Sequence, residues 1–294
     1  MRNLDKIAHT LIINGTLTEC PGLFYGKTGI AVFFFHYARQ TGNNLFRNYA
    51  FDLIEEIQEQ ITSTTPIRYD RGLAGIGVGF EYFLQNGFIE AEDNDFFEDF
   101  DERLYRAALY EPYPDLSLEG GLTGLGRYFI FRVQSNGHKD SNIHKGLTHI
   151  AHDISRKITH KKVSEKEQTD VYRFFRDLTS ISEYTEKYAR ALQQCMEWEC
   201  IGKPDIQKQF PYMNKLQRLY VCQNYYKMDL TEEIKKEWEE WEKSGKMEIP
   251  NQVREGKSEN NSQPDMGLLT GLAMEGMLHL TFMRKVDISW FNLL

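Results

Sequence analysis

The chain has 294 residues, of which 41% are hydrophobic and 13% aromatic, so its composition is that of a folded protein with a large core rather than a disordered one. Its net charge is −8, and no basic cluster marks a nucleic-acid-binding surface. The sequence also lacks an apolar run of membrane-spanning length, a signal peptide and the regular cysteine spacing of a disulfide framework. We therefore expect a cytoplasmic protein without nucleic-acid or membrane partners.

Apolar residues recur at helical spacing along most of the chain, which predicts an all-α fold of about twelve helices. The first helix is predicted within residues 1–14 and ends before Cys20-Pro21-Gly22. The other predicted helices cover 32–38, 45–61, 80–84, 96–109, 128–133, 143–158, 171–178, 181–198, 210–226, 230–243 and 277–283. Residues 245–264 are predicted to form a polar loop, long enough to cover a cavity mouth, and residues 289–294 a short apolar tail.

A short glycine-rich phrase precedes four of these helices. It reads Gly-Leu-Ala-Gly-Ile-Gly from Gly72, Gly-Leu-Thr-Gly-Leu-Gly from Gly121, Gly-Lys-Thr-Gly-Ile-Ala from Gly26 and, in a degenerate form, Gly-Leu-Ala-Met-Glu-Gly from Gly271. The copies are separated by 46, 49 and 150 residues, and the last interval is close to three further steps. A fixed period predicts a repeat architecture of six units, two of which have lost the phrase.

Two glycine positions of the phrase are predicted to have structural roles, the first in all four copies and the second in three of them. The first, at 26, 72, 121 and 271, is expected to allow a backbone angle that other residues resist. The second, at Gly29, Gly75 and Gly124, removes a side chain and is expected to let a neighbouring helix come close. Glycine inside a helix costs up to about 1 kcal/mol relative to alanine, so its recurrence suggests tight packing around a common axis.

These phrases, together with residues 22–31, resemble the repeat signature of lanthionine synthetase C-like proteins. The resemblance implies an α/α toroid, in which an outer ring of helices surrounds an inner ring and a glycine-rich loop precedes each inner helix. Units within 1–135 and 264–284 match well, whereas residues 140–260 diverge. We therefore expect residues 1–294 to form one domain of about six helical hairpins.

The same resemblance raises the question of a zinc site. Catalytic members hold zinc with two cysteines and a histidine, and the metal activates a substrate thiolate that adds to a dehydrated serine or threonine. This sequence contains no adjacent Cys-His pair, and the later units that should carry the ligands have lost the phrase. We therefore expect no cofactor. The alternative is zinc held by Cys195, Cys200 and Cys222, although a free cysteine is more often a small buried hydrophobe.

Polar and aromatic residues beside the phrases are the candidates for a cavity mouth. They are Tyr25, Tyr69, Asp70, Arg71, Glu119, Arg127, Asp265 and Glu275, with His36 and Arg39 along the first inner helix. Carboxylates near aromatic rings suit a sugar or a peptide, and two carboxylates about 5 to 10 Å apart could catalyse hydrolysis. The alternative for each residue is a helix cap or an ion pair.

Three functions remain open from the sequence. The first is a zinc-free relative of the lanthionine cyclases that binds a peptide or small molecule in its cavity during lanthipeptide-like natural-product maturation, with a maturation enzyme as a further partner. The second is an active thioether-forming cyclase with displaced metal ligands. The third is a carbohydrate-active hydrolase or epimerase, because α/α toroids also carry those activities.

Overall fold

A computed structural model describes residues 2–90, 97–111, 113, 115–135, 141–160, 163–202, 215–225, 229–244, 266–283 and 285–294. Within these ranges the regular structure is helical and no strand occurs, which confirms the all-α prediction. The α-helices are α1 (Arg2–Gly15), α2 (Lys27–Thr41), α3 (Asn44–Gln60), α4 (Leu73–Gln85), α5 (Glu98–Tyr110), α6 (Leu122–Gln134), α7 (Ser141–His160), α8 (Glu165–Thr179), α9 (Ser182–Met196), α10 (Glu199–Gly202), α11 (Lys215–Tyr225), α12 (Thr231–Ser244) and α13 (Leu272–Phe282). A 3-10 helix covers Ile288–Leu293. The predicted loop at 245–264 lies outside the described residues.

The helices pack as consecutive pairs: α2 with α3, α4 with α5, α6 with α7, α8 with α9, and α11 with α12. A sixth pair joins α13 to α1, so helices from opposite ends of the chain lie together. The helices that follow the glycine phrases also pack side by side, in the order α13, α2, α4 and α6, and α8 continues this row beyond α6. We call these five helices the row.

Burial explains why the row and its flanking helices differ in sequence. Residues 27–38 of α2 and residues 73–83 of α4 are buried without interruption. The flanking helix α3 instead buries a single stripe of Ala50, Leu53, Ile54 and Ile57, as an amphipathic helix does at the edge of a core. Among the described helices, none is both long and apolar enough to cross a membrane.

The first glycine of each phrase is the N-cap of a row helix. Its φ lies between −137° and −99° and its ψ between −168° and −163° in all four copies, which is extended backbone that any residue can adopt. The expectation of an unusual backbone angle is therefore wrong, and the physical reason for glycine is space. A Cβ on Gly26 would lie 2.2 Å from the carbonyl oxygen of Cys20, and one on Gly72 would lie 1.9 Å from that of Pro66.

The second glycine of the phrase also lacks room for a side chain. A Cβ on Gly29, Gly75 or Gly124 would lie 2.3, 1.8 or 2.0 Å from the carbonyl oxygen six residues earlier. The same Cβ would meet a side chain from the loop of the preceding unit. The added Cβ would lie 2.6 Å from Leu268 at Gly29, 3.1 Å from Leu23 at Gly75 and 2.8 Å from Tyr69 at Gly124. The sequence predicts that a neighbouring helix comes close to these glycines. The structure shows instead that the close neighbour is the loop of the preceding unit.

Hydrogen bonds between equivalent positions join the phrase loops to one another. The Leu269 amide donates to the Phe24 carbonyl at 3.1 Å, and the Phe24 amide donates to the Asp70 carbonyl at 3.0 Å. The Asp70 amide then donates to the Glu119 carbonyl at 3.2 Å. Each donor and acceptor stands two residues before a phrase glycine, so the loops form one strip along the same end of the row.

Helix α8 has no glycine phrase, and a side chain continues the strip in its place. The Leu118 amide donates to Asp170 Oδ2 at 2.9 Å, and the Leu116 amide donates to Glu167 Oε1 at 3.0 Å. Both acceptors lie on α8. Side-chain carboxylates therefore accept hydrogen bonds from the loop amides here, whereas backbone carbonyls accept them between the other loops.

The packing of a third set of glycines shows which residue of α8 is equivalent to the first glycine of the phrase. In each case a Cβ added to a row-helix glycine would meet an aromatic ring of the next row helix. The pairs are Gly276 with Phe33, Gly77 with Tyr128 and Gly126 with Phe174, each at 2.4 Å. Phe33 and Tyr128 both stand seven residues after a phrase glycine. Counting seven residues back from Phe174 in the same way gives Glu167 as the residue of α8 that is equivalent to the first phrase glycine. Glu167 lies 46 residues after Gly121.

Candidate functional site

A cavity of about 330 Å³ lies beside α4, α6, α8 and the 3-10 helix. Its lining consists of Tyr82, Gln85, Asn86, Arg127, Ile130, Phe131, Gln134, Asp177, Ser180, Ser289 and Asn292. Nine of these eleven residues have polar side chains, so the cavity suits a ligand that forms hydrogen bonds. Its volume is at the lower end of the range of about 300 to 1,000 Å³ that is usual for ligand pockets.

An ion pair forms the charged part of the cavity wall. Arg127 Nη1 on α6 lies 3.0 Å from Asp177 Oδ2 on α8, and Arg176 Nη2 lies 2.6 Å from Asp177 Oδ1. Burial alone would raise the pKa of Asp177, but the two guanidinium groups outweigh burial and hold this pKa below its usual value. The carboxylate is therefore ionised at neutral pH, and the wall presents both a negative and a positive group.

Two candidates from α2, His36 and Arg39, support the wall from behind. His36 Nε2 lies 2.7 Å from the Tyr82 hydroxyl, and Arg39 Nη2 donates to the Asn86 carbonyl at 2.6 Å. Burial, reinforced by the charge of Arg39, lowers the pKa of His36 to about 3, so its imidazole is neutral at physiological pH. These side chains therefore position two lining residues and do not line the described cavity themselves.

The opposite wall comes from residues 288–294, of which the sequence predicts 289–294 only as a short apolar tail. Its apolar side chains point away from solvent. The buried ones are Trp290, Phe291, Leu293 and Leu294, each at most 2% exposed. Ser289 and Asn292 are exposed and line the cavity. The Asp287 carboxylate caps the 3-10 helix by accepting from the Ser289 amide at 2.7 Å.

The 288–294 segment is held by groups from three different parts of the fold. The Tyr69 hydroxyl donates to the Leu293 carbonyl at 2.8 Å, and Arg127 donates to the Asn292 carbonyl. Trp290 Nε1 donates to Thr281 Oγ1 on α13 at 2.8 Å. Tyr69 and Arg127 were both predicted at a cavity mouth, and the structure brings both of them onto this segment.

The candidates in the loops before α2 and α4 form local contacts. Asp70 is 4% exposed and accepts from Arg68 at 2.8 Å through both carboxylate oxygens. The Arg71 guanidinium lies 4.8 Å from the centroid of the Tyr25 ring, in a cation–π arrangement. These contacts fit the alternative reading of caps and ion pairs.

The remaining candidates also lie away from the cavity or outside the described part of the chain. Glu119 pairs with Lys166 at 2.7 Å, and burial raises the pKa of the half-buried Glu275. Asp265 lies outside the described residues. Of the candidates that the structure describes, Arg127 alone lines the cavity.

Asp170 is a buried carboxyl that no motif in the sequence marks. Burial and the nearby Glu119 raise its pKa to about 7, against the opposing effects of the Leu118 amide, Arg173 and Lys166. Its carboxyl group therefore changes charge near neutral pH while it accepts a hydrogen bond from the loop strip.

The three cysteines of the alternative zinc reading are buried. Cys200 Sγ lies 3.0 Å from Gln168 Oε1, and burial raises the pKa of Cys195 to about 12. Within the described ranges, neither these cysteines nor any other three His, Cys, Asp or Glu residues form a group able to hold a metal ion. The metal content of the protein stays a prediction.

A pair of carboxylates does exist, the buried Glu81 and the partly buried Asp101, but it has a structural role. Arg132 is 2% exposed, donates to Asp101 Oδ2 at 2.7 Å and is paired with Glu81. The Tyr128 hydroxyl also donates to Asp101, at 2.5 Å. This cluster joins α4, α5 and α6, whereas the described lining of the cavity contains a single carboxylate, that of Asp177.

Comparison of the chain with known protein families, with curated proteins and with solved structures gives no match.

Proposed function

We propose that the protein is a zinc-free, lanthionine synthetase C-like α/α toroid that binds a peptide during lanthipeptide-like maturation. The repeat register supports this architecture, because four equivalent positions follow one another at intervals of 46, 49 and 46 residues. The packing of α1 against α13 supports it further, because a closed ring requires the two ends of the chain to meet.

The polar cavity is the observation that carries the peptide-binding role. Gln85, Asn86 and Gln134 each offer a donor and an acceptor, which complement the carbonyl and amide groups of a peptide. Arg127 and Asp177 add fixed charges of both signs. Such a lining suits a short, hydrogen-bonding ligand better than an apolar one.

Binding is favoured over the two catalytic alternatives. A displaced-ligand cyclase needs Cys195, Cys200 and Cys222 close enough together to share one metal ion, and among the described residues these cysteines do not form such a group. A glycoside hydrolase needs a second carboxylate facing the ligand, and among the described lining residues Asp177 is the single carboxylate.

Affinity selection from a random hexapeptide library tests the proposal. The purified intact chain is expected to retain a related set of peptides. The variant Phe131→Trp, which narrows the cavity without removing a polar group, is expected to lose them. Tyr110→Trp is the matched control, because Tyr110 lies on α5 and is 79% exposed. Absence of enrichment, or equal enrichment by both variants, would contradict binding in the cavity.

Metal analysis of the same preparation tests the zinc-free part separately. We expect zinc far below one equivalent per chain. A stoichiometric amount that disappears in the variant Cys195→Ser/Cys200→Ser would instead support the displaced-ligand cyclase.

A further inference from the structure

The contacts of the 288–294 segment have the form of peptide recognition. Two of its backbone carbonyls, at Asn292 and Leu293, accept hydrogen bonds from the side chains of Arg127 and Tyr69. Contacts of this kind depend on a peptide backbone and not on a particular sequence. Arg127 belongs to α6 and Tyr69 to the loop before α4, so the segment is held from neighbouring units of the repeat.

Side-chain contacts add selectivity to these backbone contacts. The Trp290 indole donates to Thr281 on α13 and is fully buried. The Phe291 ring lies 6.0 Å from the ring of Tyr220 on α11, measured between centroids. Buried aromatic anchors that also form a hydrogen bond are the contacts that usually dominate binding at protein–peptide interfaces.

We propose that the surface formed by Tyr69, Arg127, Tyr220 and Thr281 is a binding site for peptides of the type Trp-Phe-Xaa-Leu-Leu, which the 288–294 segment occupies in cis. The inference rests on the proposed peptide-binding function and names the class of peptide. A ligand of this class displaces the segment and reaches the adjacent polar cavity, where Ser289 and Asn292 now form one wall.

The covalent connection explains why the segment holds the site. Only residues 283–287 separate α13 from the 3-10 helix, so the tether is short. A short tether gives its segment an effective concentration in the millimolar range, which a free peptide in solution cannot easily match. Cutting the tether should therefore make the site available.

The test cuts the tether in the folded full chain. A recognition sequence for a site-specific protease is placed between Val286 and Asp287, and the protein is cleaved after purification and dialysed. Fluorescein-labelled Ile-Ser-Trp-Phe-Asn-Leu-Leu is then titrated into cut and uncut protein and followed by fluorescence polarisation. A scrambled peptide and the Trp→Ala peptide are the controls, and circular dichroism reports on helix content and cooperative unfolding.

We expect the cut protein to stay helical, to release the segment and to bind the labelled peptide saturably, whereas the uncut protein binds it far more weakly. Loss of the buried indole should weaken binding of the Trp→Ala peptide by about ten- to a hundredfold. The inference is overturned if the cut protein loses its cooperative unfolding on release of the segment, if the segment never exchanges, or if the scrambled peptide binds equally well. In these cases hexapeptide binding by the intact chain would still stand, so the two proposals can fail separately.

Discussion

Replacing Gly75 by alanine gives a prediction whose sign separates two accounts of the repeated glycines. Helix propensity alone predicts stabilisation, because alanine is favoured over glycine in a helix interior by up to about 1 kcal/mol. The structure predicts the opposite, because the new Cβ would lie 1.8 Å from the Tyr69 carbonyl oxygen and 3.1 Å from Leu23 Cβ. One of these neighbours is backbone, which cannot move without displacing the loop.

The expected magnitude follows from the cost of overpacking a core. Added carbon atoms in a packed interior cost about 1 to 3 kcal/mol, and contact with backbone belongs at the upper end of that range. After subtraction of the gain in propensity, Gly75→Ala should lower the free energy of unfolding by about 2 kcal/mol. Gly29→Ala and Gly124→Ala should lose similar amounts, because their added Cβ atoms meet the equivalent carbonyl oxygens.

Urea unfolding followed by circular dichroism measures these free energies. Gly87→Ala is the control, because Gly87 has a φ of 63° and nothing within 4 Å of an added Cβ. It should cost about 1 kcal/mol through its left-handed backbone alone. If Gly75→Ala is neutral or stabilising, the account of the glycines as space for the preceding loop is refuted.

Substitutions at three further sites test the polar contacts, each by the same unfolding assay. Because the pKa of Asp170 is raised from 3.8 to about 7, its ionisation penalises the folded state, whereas the neutral His36, whose pKa is lowered from 6.5 to about 3, favours the folded state as pH rises. The effect of Asp170 is therefore measured as a difference. Asp170→Asn keeps an acceptor for the loop amide, and the stability of the wild-type protein minus that of Asp170→Asn should fall as pH rises from 3.8 to about 7; a difference that stays constant or grows would contradict this. Asp170→Ala should cost about 1 to 3 kcal/mol near pH 5. Tyr69→Phe removes a hydrogen-bond donor to the 288–294 segment and should lower the free energy of unfolding by about 1 kcal/mol. An unchanged midpoint of urea unfolding would show that this hydrogen bond does not stabilise the fold. Arg132→Met leaves the buried Glu81 and the partly buried Asp101 without their cation and should cost about 3 to 5 kcal/mol. Arg132→Met/Glu81→Leu should recover part of this loss, and a double variant no more stable than Arg132→Met would show that an uncompensated charge is not the cause.

The sequence predicts the helices and the repeat because both depend on local patterns. The phrase glycines at 26, 72, 121 and 271 predict four row helices, since a glycine with no room for a Cβ recurs wherever the same turn is built. The helices begin directly after these glycines, at 27, 73, 122 and 272, and not at the predicted 32, 80, 128 and 277, because the rest of the phrase already belongs to the helix. The reason for these glycines could not be predicted, because their crowding comes from carbonyl oxygens and loop side chains that only the folded chain brings together.

The site was harder to predict than the fold. Gln85, Asn86, Gln134 and Ser180 line the cavity from the ends of row helices or just beyond them, where polar residues are ordinarily capping or exposed groups. One signal in the sequence could have identified these lining residues, because polar residues recur directly after the buried apolar helices. The role of residues 288–294 could not be found from periodicity, because it depends on contacts with Tyr69 and Arg127, which lie far away in sequence.

The fourth unit shows why a lost motif can hide a retained structure. Helix α8 keeps the spacing of the repeat and the aromatic contact of Phe174 with Gly126, although its phrase is absent. Tyr69 and Leu118 both stand three residues before a phrase glycine. The Tyr69 amide donates to the Glu119 carbonyl at 3.0 Å, whereas the Leu118 amide donates to the Asp170 carboxylate, so a side-chain acceptor takes the place of a backbone one. A search for glycines alone therefore misses this unit.

The central claim, that a peptide binds between α4, α6 and α8, is tested most directly by site-specific photo-crosslinking. The peptide carries the photoreactive group, so that the cavity is left unchanged: an enriched peptide with one residue replaced by benzoylphenylalanine is irradiated with the intact chain, and the crosslinked residues are identified by mass spectrometry. Crosslinks should fall on the cavity wall, at or beside Phe131, and not at His149, which is exposed on α7. Equal labelling of both places, or labelling at His149 alone, would contradict the claim.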